Sequence, residues 1–134
     1  MSKIKEKEKV TYRDFHPNDI ILVYGDIRIV ERVDRTHLAT RGINDSLELW
    51  SYDGEIEQIK INNKFYMKQL GFYEENGFLK FDTQFGPITL ELDYGICVIP
   101  YSKDGYKGNK QVQTINDIQQ FYYHLTDKEL DFGL

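Results

Sequence analysis

The sequence predicts an α+β fold, and three observations carry that prediction. Short apolar or alternating runs are separated by Gly-, Asp- and Asn-bearing turns through most of the chain. A capped amphipathic stretch follows near the end, from Thr114 to Leu125. Aromatic residues make up 14%, with ten tyrosines, and Tyr favours half-buried sheet positions. The expected order is a charged tail over 1–11, a small SH3-like β-barrel over 12–61, and a second lobe over 62–134. That lobe holds a helix, a three-stranded antiparallel meander and a closing C-terminal amphipathic helix, packed with the barrel as one compact unit.

Each element has its own reason. Residues 1–10 alternate Lys and Glu and hold little to bury, so a loose tail is expected. Ile20 to Tyr24 is an apolar run, and Gly25-Asp26 turns the chain into a second strand over 27–33. A third strand covers His37 to Thr40, and Gly42 with Asn44-Asp45 marks a loop. Residues 46–52 alternate, which places Leu47 and Leu49 on the core face and Glu48, Trp50 and Tyr52 on the other. Asp53-Gly54 then leads to a fifth strand over 55–61. Strands this short and this closely spaced suit a bent barrel, because a flat sheet would leave two long edges.

A short helix runs from about Asn62 to Leu70, with Phe65, Met67 and Leu70 inward and Gly71 as its stop. The meander follows at 78–82, 88–92 and 96–101, and residues 102–110 are expected to be a mobile loop. At the end, Thr114 is placed to cap a helix and Asp117 to complete a capping box. Ile115, Ile118, Phe121, Tyr122 and Leu125 share one stripe. Asn116, Gln119, Gln120, Tyr123 and His124 are expected to face solvent. Thr126 and Glu129 repeat the cap signature, so a short second turn is expected to carry Leu130 back onto the fold.

Composition narrows the function classes. The chain of 134 residues carries 22 acidic against 17 basic residues, a net charge of −5, which argues against holding duplex nucleic acid by phosphate neutralisation. The one cysteine, Cys97, excludes an intramolecular disulfide and a multi-cysteine zinc site, and fits a reducing compartment. No apolar run approaches membrane-spanning length and no signal-peptide core is present, so no membrane role is expected.

Three stretches carry a resemblance. They are Asp14-Phe15 with Asn18 to Ile21 and Gly25 leading into Ile27 to Val30, the 61–72 helix ending in Leu70-Gly71-Phe72, and the run from Ile115 to Leu130. In these the chain resembles a group of small proteins of phages and prophage-like elements of gut bacteria. The resemblance spans most of 12–130, and the last motif is its specific part. The chain departs from that pattern in its charged tail, in the acid at Asp117 and in a longer 102–110 loop. The resemblance implies a mobile-element setting, with a location in the host cytoplasm or in the virion, and it carries over no functional residue.

Chemistry-bearing constellations are sparse. His16, His37 and His124 lack ligand spacing. Ser46, Ser51 and Ser102 lack a nucleophile elbow, and Cys97 sits in an apolar run where a buried thiol is inert. Acidic neighbours such as Glu55 with Glu57, or Glu74 with Glu75, are ordinary turn and edge residues. No catalytic residue, metal or cofactor is expected. Two binding candidates remain. Trp50 and Tyr52 form an aromatic face suited to a protein or base. Lys103, Tyr106, Lys107 and Lys110 lie on a glycine-bearing loop running toward a helix start, where an anion could meet backbone N–H groups.

The sequence therefore points to a non-enzymatic accessory protein of a phage or mobile element that binds a host or phage protein. The alternative is a nucleotide- or small-ligand-sequestering protein, with Arg41 or Lys103 adding charge at a homo-oligomer contact. A minor virion component is the third reading.

Overall fold

In the computed structural model, which describes residues 10–42 and 47–134, the chain divides into two units, Met1–Glu57 and Gln58–Leu134. The border falls before the expected one at 61 because 59–61 bonds to the start of the last helix. Ile59 O accepts from Ile115 N at 2.8 Å, and Ile61 N donates to Gln113 O at 3.0 Å. Residues 1–9 of the expected tail, the Asn44-Asp45 turn and Ser46 lie outside the described residues. The tail expectation fails at its last two positions. Val10 packs against the core of the first unit, and Thr11 caps a single 3-10 turn, Tyr12–Asp14.

Unit 1 is built on β1 (Ile20–Val23), β2 (Asp26–Val33), β3 (His37–Arg41), β4 (Leu47–Ser51) and β5 (Ile56–Gln58), in the sheet order β4-β3-β2-β1-β5. Tyr24 and Gly25 both take positive φ, 49° and 81°, the turn whose twist matches a two-residue hairpin. Between Val30 and Arg32 the β2–β3 register shifts, so Glu31 is the extra residue of a bulge that bends the strand. Among the described residues no ladder joins β4 to β5, so the barrel closure expected from sequence is not formed. The three-residue β5 adds to the edge of β1, and β4 ends the sheet on the far side.

The core of this unit is Phe15, Ile21, Val23, Val30, Leu38 and Ile56, with Trp50 and Tyr52 packed against it. The face assignment for β4 is therefore reversed. Leu47 and Leu49 are 61% and 58% exposed, whereas Trp50 pairs across the ladder with fully buried Leu38. The reason is local. The Trp50 indole N–H donates to Thr40 Oγ1 at 2.9 Å, and Tyr52 OH donates to Asp34 O at 2.6 Å, so both aromatics bury their rings without stranding a polar atom.

Unit 2 opens with α1 (Lys64–Gln69), capped by Asn63, whose Oδ1 accepts from Tyr66 N. Its end is a Schellman turn. Gly71 has φ +107°, Gly71 N donates to Lys68 O, and Phe72 N donates to Met67 O. Met67, Leu70 and Phe72 are buried, but Phe65, expected inward, is 67% exposed.

Five antiparallel strands follow, not three: β6 (Tyr73–Glu75), β7 (Phe78–Phe81), β8 (Ile88–Glu91), β9 (Ile96–Ile99) and β10 (Gly108–Gln111), in the order β10-β9-β8-β7-β6. Asn76 and Gly77, with φ 53° and 83°, make the β6–β7 hairpin. The last residues of the expected 102–110 loop belong to β10, which pairs with β9.

Gly108 runs closely beneath the last helix. A Cβ on it would overlap Leu125 and lie 3.3 Å from Phe121, both on α2 (Ile115–Thr126). Leu79, Ile88, Leu90, Cys97 and Ile99 are fully buried, as are Ile115 and Ile118 of α2. Each such aliphatic side chain contributes about 1.5–3 kcal/mol by leaving water.

The cap of α2 forms as expected, with Thr114 Oγ1 accepting from Asp117 N and Asp117 Oδ2 accepting from Thr114 N. Asn116 and Gln119 correct the expected solvent face. Both are buried, and Asn116 Nδ2 donates to Gln119 Oε1 at 2.9 Å, which lets two amides enter the interior together. The second helical turn does not form either. Thr126 closes α2 by donating to Tyr122 O, and Asp127 turns left-handed at φ 57°. Leu130 nevertheless returns to the interior, as expected. No helix among the described residues is long and apolar enough to cross a membrane.

Candidate functional site

The left-handed turn at Asp127 ends α2 and sends the chain back along unit 2. Leu130 is buried, and Phe132 lies at 5.1 Å from the Phe81 ring and 6.3 Å from the Phe72 ring. Opposite this segment runs the β7–β8 connection. Thr83 shapes it: its Oγ1 accepts from Phe85 N at 3.0 Å and donates to Gly86 O at 2.8 Å. Gly86 has φ +90°, and a Cβ there would come within 2.7 Å of Pro100, so the tight return needs glycine.

Between the two segments lies a cleft of about 360 Å³. Its apolar lining comes from Phe81, Tyr122 and Leu130, and Asp82, Glu129 and Asp131 bring three carboxylates to it. Thr83 and Gln84 complete the wall, and no Lys or Arg among the described residues lines it. Asp82 is held in place by Tyr73, whose hydroxyl donates to Asp82 Oδ1 at 2.6 Å. That bond, more than any other cause, pushes the Tyr73 phenol up to about 12. Among the described residues no group of three or more His, Cys, Asp or Glu is arranged to hold a metal ion, so the three carboxylates do not converge on one point. Spread carboxylates over aromatic faces suit an extended organic cation, an ammonium or guanidinium on an alkyl stem.

The residues singled out from sequence lie elsewhere. Trp50 and Tyr52 are in unit 1, each half-buried. The Arg28 guanidinium sits 5.6 Å over the Trp50 ring and Tyr24 packs against it at 5.7 Å, while Tyr52 stacks on Phe15. Lys103, Tyr106, Lys107 and Lys110 are exposed in unit 2. Lys103 Nζ is bonded to Asp127 Oδ2 at 2.7 Å, which raises its pKa above the ordinary lysine value. Ser102 Oγ accepts from Asp104 N and Tyr106 N, so the start of this loop is a formed turn.

The loop does not run into the helix start, because β10 intervenes. Nor are the N–H groups at that start open to an anion: Asp117 Oδ2 already accepts from Gln113 N at 2.8 Å and from Thr114 N. Arg41 is paired with Glu31 at 2.6 Å. Burial pushes the Cys97 thiol up to about 12, so its thiolate is suppressed at neutral pH.

The cleft was missed from sequence because its parts come from three separate places. Asp82 and Thr83 follow a strand, Tyr122 lies within the helix, and Glu129 to Asp131 come after it. Compared with models of protein families, with curated proteins and with solved structures, the chain matches none of them.

Proposed function

We propose that this chain is a non-enzymatic binding protein that docks a basic segment of a partner protein in the acidic cleft of unit 2. The observation that supports it is the cleft itself, three acidic residues around Phe81, Tyr122 and Leu130 with no Lys or Arg of the described residues lining it. A Lys or Arg side chain would lay its alkyl stem on the aromatic floor and its charge against Asp82, Glu129 or Asp131. The net charge of −5 adds long-range attraction for a basic surface.

With the mobile-element setting that the sequence resemblance implies, the partner is a host or phage protein, met in the host cytoplasm. Unit 1 in this reading is an SH3-like lobe, supported by its bulged meander and its order β4-β3-β2-β1-β5. A nucleotide is disfavoured at this cleft, since its phosphates would face three carboxylates.

The test is capture from infected host cells with the wild-type chain and with the Glu129→Lys/Asp131→Lys variant, followed by titration of the captured protein. A partner that binds through a basic segment and loses about tenfold or more in affinity, roughly 1.4 kcal/mol, supports the reading. A partner held equally well by both chains rejects the cleft. Stabilisation by a nucleotide panel, with no protein captured, would favour the sequestering alternative.

A further inference from the structure

Given a basic segment docked in the unit 2 cleft, the reading on which this rests, the cleft walls also select between lysine and arginine. Lysine ends in a compact, strongly hydrated ammonium. Arginine ends in a planar, weakly hydrated fork of N–H donors that stacks on aromatic rings. The carboxylates come from both walls, Asp82 from just past β7, and Glu129 with Asp131 from the segment after α2. Among the described residues no three such groups are arranged to hold a metal ion, so a compact charge finds no point where all three meet it. A fork whose donors point in different directions can instead bridge one wall to the other.

Asp82 is also set before any ligand arrives. Tyr73 OH donates to Asp82 Oδ1 at 2.6 Å, which orients the carboxylate and leaves Oδ2 for a ligand. A fixed acceptor favours the pre-organised fork over an ammonium on a flexible stem. Phe81 is held as firmly. Its half-buried ring lines the cleft and lies 5.1 Å from the Phe72 ring and 5.1 Å from the Phe132 ring. Unit 1 already uses the same chemistry: the Arg28 guanidinium sits 5.6 Å over the Trp50 ring while donating to Thr40 O at 3.0 Å. A guanidinium on Phe81 would repeat that arrangement with carboxylates as acceptors.

We propose that the cleft selects arginine over lysine, the guanidinium of the partner lying on the Phe81 ring and bridging Asp82 to Glu129 or Asp131. Tyr73 is then a positioning residue, acting through Asp82. Unit 2 itself carries no arginine, so none competes for the cleft from within it.

The probes are acetyl-arginine amide and acetyl-lysine amide, equal in charge, titrated into the isotope-labelled full chain up to about 100 mM and followed by amide NMR. The expected result is saturable shifts of the Asp82, Thr83, Gln84, Leu130 and Asp131 amides, with the arginine compound bound about fivefold or more tightly. In Tyr73→Phe, whose amide spectrum also reports its fold, the ratio should drop toward unity. A contact that read charge alone would show no such drop. Equal binding of the two compounds overturns the preference and leaves the basic-segment reading standing. Shifts by neither compound, or shifts spread over other acidic faces, overturn it as well, and the capture with Glu129→Lys/Asp131→Lys then judges that reading by itself. A ratio unchanged in Tyr73→Phe overturns the role given to Tyr73.

Discussion

Trp50 donates its indole N–H to Thr40 Oγ1 at 2.9 Å, and the same oxygen accepts from Arg28 Nε. One threonine hydroxyl thus anchors the ring that packs on the unit 1 core and the guanidinium lying over that ring. Thr40→Val keeps the shape and removes the acceptor, leaving two donors to find other partners in a buried place. The expected cost is about 1–3 kcal/mol, read as a lower midpoint in urea unfolding with unchanged slope. Thr40→Ser should recover most of it.

Gly108 makes a different demand, since only the space above it matters. Gly108→Ala brings a methyl group against the tip of Leu125 of α2, a flexible side chain that can yield, so the expected loss lies at the low end of overpacking, about 1 kcal/mol. Adding Leu125→Ala should return part of that loss, so the double variant falls short of the sum of the two singles. Thermal unfolding of the four chains completes the cycle, and strict additivity would reject the contact.

Alkaline titration should single out Tyr73. Its phenol is raised to about 12 from an ordinary value of 10.0, first of all by its bond to Asp82. The folded chain therefore keeps a proton that the unfolded chain has released between those values. The stabilisation tied to this bond is full below about pH 10 and is lost as pH rises through about 12. In tyrosinate absorbance, Asp82→Asn should move one titrating group downward, and Tyr73→Phe should delete it. A titration unchanged by Asp82→Asn would show that the bond does not persist in solution.

Cys97 offers a probe of opening. Its side chain is fully buried and its thiol is raised to about 12, so alkylating reagents should modify it only when unit 2 opens. Labelling by iodoacetamide at neutral pH should be slow in the wild type and faster in Gly108→Ala, in proportion to lost stability. Rapid labelling of the intact chain would contradict the burial.

The helix α2 was legible nearly residue by residue, because a capping box and a five-residue stripe specify it locally. Asn116 and Gln119 escaped that reading, since their burial depends on pairing partners, one of them each other, that the helical period does not announce. The β6–β7 hairpin was not among the expected elements, although Asn76-Gly77 is a local hairpin signal. Strand β10 was not legible. Its residues, Gly108 to Gln111, have no strand preference, and its place depends on a glycine slipping beneath a helix met later in the chain.

Alternation located β4 but is symmetric between its faces, so it could not decide whether Leu49 or Trp50 turned inward. Hydrogen-bond partners for the indole and phenol decided it. The cleft depends on the reversal at Asp127, a non-glycine residue in left-handed conformation that no turn motif announces.

Trp50 is the chain's one tryptophan, and it lies in unit 1. Every ladder of the second sheet joins strands adjacent in sequence, whereas the first must bring β5 back to β1 across three intervening strands. Returns of that kind slow the search for the native pairing. A refolding trace recorded by indole emission thus follows the pairing of the first sheet, and the zippering of β6 to β10 passes without changing the light.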